Sequence, residues 1–197
     1  KASARGMASD DRILAYVETA RHMARYLAEI GVPYRCVPTY ADYYPTLDGA
    51  MPGGRTMDPL DFNAAKLGVQ DLNLLRPTCP GQLIFGRMHI NAFDARSMLA
   101  RERKSKFVLM WIMARYFLDY PWRRKTKRDR RLTGGQALLG GLFTALRQRQ
   151  IPLWLDSPMQ SLIQENGRVC GVVVRQAGAD VRVLARHGVV LGAVYSS

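Results

Sequence analysis

Residues 128–174 read RDRRLTGGQALLGGLFTALRQRQIPLWLDSPMQSLIQENGRVCGVVV, and they contain the clearest structural signals of the chain. The run TGGQALLGGLFTALRQRQ (133–150) repeats apolar residues at helical intervals, and Gly140–Gly141 would let another element approach it closely. Two β-rich runs then flank Asn166–Gly167, a pair typical of two-residue hairpin turns. The stretch therefore predicts a helix followed by an antiparallel hairpin. The predicted apolar face of the helix consists of Ala137, Leu138, Leu142, Ala145 and Leu146.

A second turn and a further strand continue this pattern. AGAD (177–180) predicts the turn, and VRVLARHGVVLGA (181–193) predicts a strand that leads into a final apolar strand. A helix followed by such a meander implies an α/β layer arrangement. Composition changes near residues 131–133. We therefore predict a mainly helical segment with a Tyr/Pro/Gly loop over 1–132, and a helix with a β-meander over 133–197.

The first 132 residues predict helices separated by a long loop. Residues 9–31 form an amphipathic pattern that Ser9 or Asp10 can cap and that Gly31 ends. Residues 32–59 are rich in Pro, Gly and Tyr, which predicts an ordered loop made of turns. The remaining predictions are a short helix over 59–68, a loop with a brief strand over 75–90, one long helix or two consecutive helices over 91–122, and a basic connector over 123–131.

Positive charge dominates the composition and is concentrated in one stretch. The chain of 197 residues has a net charge of +13, and residues 101–131 hold twelve Lys or Arg against Glu102, Asp119 and Asp129. These cations could contact nucleic-acid phosphates, but no aromatic platform or recognised nucleic-acid motif accompanies them. A solvated connector, or one that pairs with carboxylates elsewhere, is the simpler interpretation. We therefore expect no nucleic-acid partner.

The sequence lacks the features of metal sites, disulfide frameworks and membrane spans. Its three cysteines and three histidines are widely scattered, which predicts reduced thiols in a cytoplasmic protein and no metal site. The apolar run FVLMWIM (107–113) is shorter than the roughly 20 residues that span a bilayer. Its helix can pack in the core, line an apolar ligand pocket, make peripheral contact with a membrane surface, or contact a partner.

Two features could carry chemistry on their own. Gly134 and Gly135 could present backbone N–H groups to an anion at the start of a helix, but no Gly-x-Gly-x-x-Gly occurs in the chain. Tyr43 and Tyr44 lie in ADYYPTLDGAMPGGR (41–55). A tyrosine donates protons at neutral pH and becomes a base only where its phenolate is stabilised. Without further context, both features are also compatible with a purely structural role.

Three stretches taken together resemble one family. YADYYPTLDGAMPGGRTMDPLDF (40–62), residues 128–174 and ARHGVVLGA (185–193) resemble, in that order, segments of 3-ketosteroid Δ1-dehydrogenases. Related FAD-dependent proteins of the fumarate reductase/succinate dehydrogenase flavoprotein superfamily share these segments. The resemblance covers nearly the whole chain. It implies part of a Rossmann-like FAD-binding domain, with a helical N-terminal two-thirds followed by a helix and an antiparallel β-meander.

The resemblance also implies a reaction and residues for it. Such enzymes pass a hydride to the flavin and a proton to a tyrosine, which introduces a 1,2 double bond into a 3-keto steroid ring. Tyr43 matches the tyrosine of the family's Asp-Tyr segment, and Tyr44 is the alternative. Ser157, Pro158 and Met159 match the family's backbone near the adenine end of FAD. Gly192 and Ala193 match the strand that runs past the cofactor.

Departures from the family predict that the sequence is an internal fragment. It begins KASARGMASDD, after the place of the family's dinucleotide fingerprint, and it ends GAVYSS where the family reads Gly-Gly-Phe/Tyr-Glu. The expected partners are a steroid or another apolar ketone and the remainder of its own flavoprotein chain. We expect the isolated segment neither to hold FAD tightly nor to turn over. The alternatives are a fumarate-reductase-like flavoprotein acting on another substrate, or a non-enzymatic basic module using residues 101–131.

Overall fold

The computed structural model describes residues 8–100 and 103–192, which belong to two compact units, 1–151 and 152–197. Helices dominate the first unit, and the second holds an antiparallel meander. The predicted α/β class is therefore confirmed. The domain boundary proposed near residue 132 stays a prediction. The first unit contains α1 (Asp10–Glu29), β1 (Tyr34–Val37), β2 (Thr56–Pro59), β3 (Phe62–Asn63), α2 (Gly68–Leu74), α3 (Ala92–Leu99), α4 (Ser105–Leu118), α5 (Tyr120–Arg123), β4 (Arg131–Leu132) and α6 (Gly134–Gln148), with 3₁₀ turns at Ala64–Lys66 and Pro80–Gln82. The second contains β5 (Met159–Glu165), β6 (Arg168–Gln176) and β7 (Ala179–Leu184).

Helix α1 begins and ends where the sequence predicts. Ser9 is its N-cap residue, although the Ser9 side chain makes no capping hydrogen bond. At the other end Gly31 adopts φ +92°, and the Val32 N–H donates to the Leu27 carbonyl at 2.7 Å. This is the Schellman arrangement, which glycine adopts without steric cost. Helix α1 has no fully buried residue.

Residues 32–68 differ from the prediction at two points. The predicted loop of turns is closed at its base by β1 and β2, which pair antiparallel with Val37 opposite Thr56. The predicted short helix over 59–68 is wrong at its start, because β3 pairs with β4 there and only a 3₁₀ turn follows. Gly68, at φ +74°, separates that turn from α2. Both strand pairs join distant residues, so local periodicity does not show them.

Helix α6 packs through its glycines as predicted. A Cβ atom on Gly140 would lie 2.8 Å from the Phe62 ring, and one on Gly141 would lie 2.8 Å from the Val32 side chain. Ala137 and Ala145 are buried as expected, while the predicted positions Leu138, Leu142 and Leu146 are half-buried. The sequence interpretation missed Phe143, which is 5% exposed.

Two apolar clusters form the core of the first unit. One consists of Ala64, Leu72, Trp122 and Leu132, and the other of Met88, Ile112 and Tyr116. For residues 91–122 the sequence allowed one long helix or two consecutive helices. The structure has two separate helices, α3 and α4, followed by the short α5. Asn91 begins α3 through a capping box in which the Asn91 side chain accepts from Asp94 N–H at 2.9 Å.

The basic connector is built into the fold. Arg128 donates to the carbonyls of Leu72 and Leu75, the latter at 3.0 Å. Arg130 pairs with Asp119 at 2.8 Å. Arginine suits these places because its planar head offers several donors in fixed directions.

Between these arginines lies the buried carboxylate of Asp129. Asp129 is 3% exposed and accepts from the backbone N–H of His89 at 2.9 Å and of Arg131 at 3.0 Å. The Arg115 guanidinium lies 3.5 Å away. The His89 ring, itself 6% exposed, contacts the Thr133 hydroxyl at 3.3 Å. These contacts fix the segment immediately before α6.

The meander of the second unit confirms both predicted turns. Asn166 and Gly167 have φ of +51° and +75°, and Ala177 and Gly178 have φ of +50° and +84°. Positive φ at both central residues is the requirement of the type I′ hairpin turn. The sheet order is β5-β6-β7, so β5 and β7 are its edges.

The predicted final apolar strand does not form among the described residues. Strand β7 ends at Leu184, residues 185–192 have no strand structure, and Val190 is 96% exposed. An apolar run without alternation is typical of a strand that is covered on both faces. None of the described strands pairs with this run, which explains why it lacks strand geometry.

A matched pair in α2 tests the first core cluster. Leu72 is fully buried against Trp122, whereas Leu74 is 46% exposed. Leu72→Ala should lower the free energy of unfolding by about 2–5 kcal/mol, because it removes buried apolar contacts and leaves a cavity. Leu74→Ala should change it by less than about 0.5 kcal/mol. Urea unfolding followed by tryptophan fluorescence measures both, and equal effects would contradict this packing.

The buried His89 predicts a pH dependence of stability. Burial lowers the pKa of His89. The negative charge of Asp129 opposes this shift, and the nearby positive charges reinforce it. These positive charges are Arg128, Arg131 and Arg115. The unfolded chain therefore takes up a proton on this ring below about pH 6.5, where the folded chain does not. Stability should consequently fall as the pH drops through that range.

A substitution isolates this contribution. His89→Gln should show a smaller loss of unfolding free energy between pH 7.5 and pH 5.5 than the unchanged chain, since it removes the group that the unfolded state protonates. His22→Gln, on the exposed surface of α1, is the matched control and should keep the original slope. Identical slopes in all three proteins would refute the assignment to His89.

Candidate active site

The tyrosine-bearing segment is a long loop with a fixed base. Residues 38–55 connect β1 to β2, whose antiparallel pairing holds the two ends of the loop together. The Pro-Gly-Gly turn closes against its start, because a Cβ atom on Gly53 would lie 1.8 Å from the Pro38 carbonyl oxygen. Gly54 follows at φ +85°. Glycine is therefore required at both positions, at Gly53 by contact and at Gly54 by conformation.

An ion pair braces the loop internally. Asp42 Oδ2 accepts from the Met51 N–H at 3.0 Å and from Arg55 Nη1 at 3.1 Å. The Asp42 N–H in turn donates to the Met51 carbonyl at 3.0 Å, and Arg55 Nη2 donates to the Gly49 carbonyl at 2.8 Å. The sequence interpretation missed this role of Asp42 and Arg55. The spacing of an aspartate and an arginine on either side of the Pro-Gly-Gly turn was the available signal.

The two candidate tyrosines project from this braced loop. Tyr43 is 94% exposed and Tyr44 is 59% exposed. Among the described residues, neither phenol has a hydrogen-bond partner. Tyr43 directly follows the braced Asp42, so its backbone is held on one side while its side chain stays accessible. The arrangement can place a phenol against a bound molecule, and it supplies no base of its own.

The candidate FAD positions lie in the second unit. The Ser157 hydroxyl donates to the Leu155 carbonyl at 2.8 Å, and the Pro158 carbonyl accepts from Arg175 N–H at 3.0 Å. Met159 opens β5 and is 46% exposed. Because β5 is a sheet edge, its outer backbone groups face no other described strand. Outward backbone polar groups beside apolar side chains fit the chemistry of a planar adenine ring.

The predicted site residues thus divide between the two units. Tyr43 and Tyr44 are adjacent in the loop of the first, and Ser157, Pro158 and Met159 lie at the entry to β5 in the second. Gly192 lies in the segment after β7 that has no strand structure. Ala193 lies outside the described residues.

The start of α6, which could bind an anion on sequence grounds, is only a helix terminus here. The Thr133 hydroxyl donates to the Ile90 carbonyl at 2.7 Å and does not cap the helix.

A cleft of about 550 Å³ elsewhere in this unit is lined by apolar and charged side chains. Its charged groups pair with one another or with Asp129, so none awaits a ligand. They are Asp61, Arg115, Asp119, Arg130 and Arg131.

Membrane-spanning and metal-binding features are not found in the part of the chain that the structure describes. None of its helices combines the length and apolarity needed to cross a bilayer. Within residues 8–100 and 103–192, no three His, Cys, Asp or Glu side chains are grouped so as to hold a metal ion.

The brace of the tyrosine loop can be tested directly. Asp42→Ala removes a charged acceptor, and the Met51 amide should then exchange its hydrogen with solvent roughly tenfold faster. Asp48→Ala is the matched control, because Asp48 is exposed in the same loop and has no ion-pair or hydrogen-bond partner among the described residues. Hydrogen–deuterium exchange with mass spectrometry measures the loop peptide, and equal acceleration in both variants would contradict the brace.

Comparison with known proteins places these features in one family. The family model described as an FAD binding domain matches residues 1–194. A 3-oxosteroid 1-dehydrogenase of Comamonas testosteroni is 58% identical over 194 residues, which cover 98% of this chain and 34% of that protein. The protein of the same name from Mycobacterium tuberculosis (strain ATCC 25618 / H37Rv) is 32% identical, over 92% of this chain and 32% of its own. The chain therefore spans about a third of the length of the curated relatives it matches.

A solved structure agrees with the sequence comparisons. It is the crystal structure of 3-ketosteroid delta1-dehydrogenase from Sterolibacterium denitrificans in complex with 1,4-androstadiene-3,17-dione. That structure superposes with a TM-score of 0.91 and 44% sequence identity, over 98% of this chain and 35% of its own. The braced tyrosine loop, the helix and the meander thus occur in a chain that belongs to the FAD-binding-domain family.

Proposed function

We propose that this chain is part of an FAD-dependent oxidoreductase that dehydrogenates a 3-ketosteroid or similar apolar ketone. The sequence similarity to 3-oxosteroid 1-dehydrogenases over nearly the whole chain supports the reaction class. The observation that carries the proposal is the tyrosine loop. A phenol that is 94% exposed follows a carboxylate clamped by Arg55, so Tyr43 is accessible while its backbone is held.

Tyr43 is the residue to which we assign the proton. In a 3-keto ring the hydrogen on C2 lies beside the carbonyl group, so it leaves as a proton, and the hydrogen on C1 leaves as a hydride. Bound FAD supplies the hydride acceptor. Tyr43 would take the C2 proton as its phenolate, which residues of the flavoprotein outside this loop would stabilise, and a double bond would form between C1 and C2. A phenol suits an apolar substrate because burying a carboxylate there without a partner would be costly.

The same proposal assigns a binding role to the second unit. Ser157, Pro158 and Met159 would hold the adenine end of FAD through outward backbone groups at the β5 edge and through the apolar Met159 side chain. Gly192 and Ala193 would lie along the strand that passes the cofactor. No glycine-rich dinucleotide fingerprint occurs in these 197 residues, so the cofactor's phosphates would be bound by other residues of the flavoprotein.

The basic-module alternative has less support. Four of the arginines between residues 123 and 131 donate to carbonyl groups or carboxylates of the fold. A nucleic acid could reach only the cations that remain outside these contacts. The residues already committed to the fold are Arg123, Arg128, Arg130 and Arg131.

The proposal is tested in a chimera in which this chain replaces the aligned third of the Comamonas testosteroni relative. With FAD bound, Tyr43→Phe should lower kcat for a 3-ketosteroid by roughly 10²- to 10⁴-fold, the usual contribution of a positioned acid or base. The flavin absorption band should keep its intensity after gel filtration, because Tyr43 is not assigned to cofactor binding.

Tyr44→Phe is the matched control and should keep kcat within a few-fold of the chimera. Incorporation of solvent deuterium at C2 of the steroid, measured by mass spectrometry, should be lost in Tyr43→Phe alone. A loss confined to Tyr44→Phe would move the proton-accepting role by one residue. Near-normal turnover in both variants would reject a role for this loop in proton transfer.

A further inference from the structure

The tyrosine loop contains a smaller closed ring. The Asp42 N–H donates to the Met51 carbonyl at 3.0 Å, and Asp42 Oδ2 accepts from the Met51 N–H at 3.0 Å. These two hydrogen bonds join the ends of the segment that is named the inner ring below (residues 42–51). Tyr43 and Tyr44 are the first residues after the point at which the inner ring closes.

Turns hold most of the inner ring but leave Tyr43 without a contact of its own. The Leu47 N–H donates to the Tyr44 carbonyl at 3.2 Å, and the Ala50 N–H donates to the Leu47 carbonyl at 2.9 Å. Among the described residues, neither backbone polar group of Tyr43 pairs with another backbone group. The position of Tyr43 is therefore set by its neighbours in the chain, and Asp42 is the neighbour that is fixed on both its backbone and its side chain.

Arg55 ties the inner ring to the β1–β2 pair. It directly precedes β2, and the Gly54 N–H donates to the carbonyl of Val37, the last residue of β1, at 3.4 Å. From this point the guanidinium reaches two places in the ring. Arg55 Nη1 lies 3.1 Å from Asp42 Oδ2, and Arg55 Nη2 lies 2.8 Å from the Gly49 carbonyl oxygen. A planar head with several donors in fixed directions suits this double contact.

This link bears on the reaction because the Tyr43 phenol is almost fully exposed. Within the described residues, the place of the phenol depends on the backbone that carries it. A displacement of about 1 Å can cost a reacting group roughly 10²-fold in rate. Exposed ion pairs, in contrast, contribute little to stability. Losing the Arg55 contacts should therefore affect the catalytic step more than the fold.

We propose that Arg55 is a positioning residue for Tyr43. Its guanidinium holds Asp42, and Asp42 holds the backbone of Tyr43 at the start of the inner ring. The proposal gives Arg55 no contact with the substrate or with FAD. It rests on the proposed function, because it needs Tyr43 to take the proton, and it adds the residue that keeps the phenol in place.

A matched ion pair elsewhere in the same unit supplies the control. Arg147 of α6 and Asp71 of α2 lie 2.7 Å apart, and their side chains are 60% and 21% exposed. The corresponding values for Arg55 and Asp42 are 57% and 25%. The two pairs therefore share their chemistry and exposure and differ in what they hold. One joins two helices, and the other joins the strand pair to the tyrosine loop.

The first test measures turnover in the FAD-loaded chimera. Arg55→Ala should lower kcat for a 3-ketosteroid by roughly tenfold or more, because the phenol loses its fixed position. KM should stay within about twofold, since Arg55 is assigned no contact with the bound steroid. Arg55→Lys keeps the positive charge but lacks the planar pair of donors, so it should restore only part of the lost kcat. Arg147→Ala should keep kcat within about twofold.

A double-mutant cycle separates positioning from a general structural effect. In the Tyr43→Phe chimera, Arg55→Ala should change kcat by less than about twofold, because the group on which it acts is already absent. In the Tyr44→Phe chimera, the same substitution should keep its full effect. A role in stability alone would lower kcat equally in every background, and such an equal loss would overturn the proposal.

The flavin absorption band after gel filtration shows whether each variant still folds around its cofactor. Loss of the band in Arg55→Ala, or an equal loss of kcat in Arg147→Ala, would overturn the positioning role. Normal kcat in Arg55→Ala beside a large loss in Tyr43→Phe would overturn this inference alone. Normal kcat in Tyr43→Phe would reject the proton-accepting role of Tyr43 and this inference with it.

Discussion

The buried carboxylate of Asp129 is the constraint on which the first unit depends. Removing an ionised carboxylate from water is costly unless other groups satisfy it. Here the backbone N–H groups of His89 and Arg131 and the guanidinium of Arg115 do so. These partners come from three separate parts of the chain. The segment before α3, helix α4 and strand β4 must therefore meet for the charge to be buried.

The sequence correctly predicted the helices and turns that are determined by residues close together in the chain. Helix α1 has a glycine stop, α6 has a regular apolar period, and Asn166–Gly167 can adopt the positive φ values of a hairpin turn. The β1–β2 and β3–β4 pairs were missed because each joins residues that are far apart and each is only two to four residues long. The final apolar run was predicted as a strand from composition, yet a strand needs a neighbour, and no described strand supplies one.

The candidate site was predictable to a similar extent. Resemblance pointed to Tyr43, and the structure adds that the neighbouring Asp42 clamps the loop while the phenol remains exposed. For this clamp the sequence offered the spacing of Asp42 and Arg55 alone, because the two are brought together by the closing of a loop whose base is the missed β1–β2 pair. The sequence showed the glycines of the Pro-Gly-Gly turn, but only the structure shows why each is needed: Gly53 lies against Pro38, and Gly54 adopts a positive φ.

The basic composition separates into two roles that follow the chemistry of the side chains. Arginine has a planar head with several fixed donors, so it can serve carbonyls and carboxylates inside a fold, whereas the lysine ammonium is compact and strongly hydrated. Accordingly the cations of this region that make internal contacts, Arg128, Arg130 and Arg131, are arginines, whereas the exposed cations include both lysines and Arg124. A count of charges over residues 101–131 therefore overstates the field that a partner would meet. The exposed cations that remain in the described part of this stretch precede or follow the apolar body of α4, because the middle of that helix packs in the core.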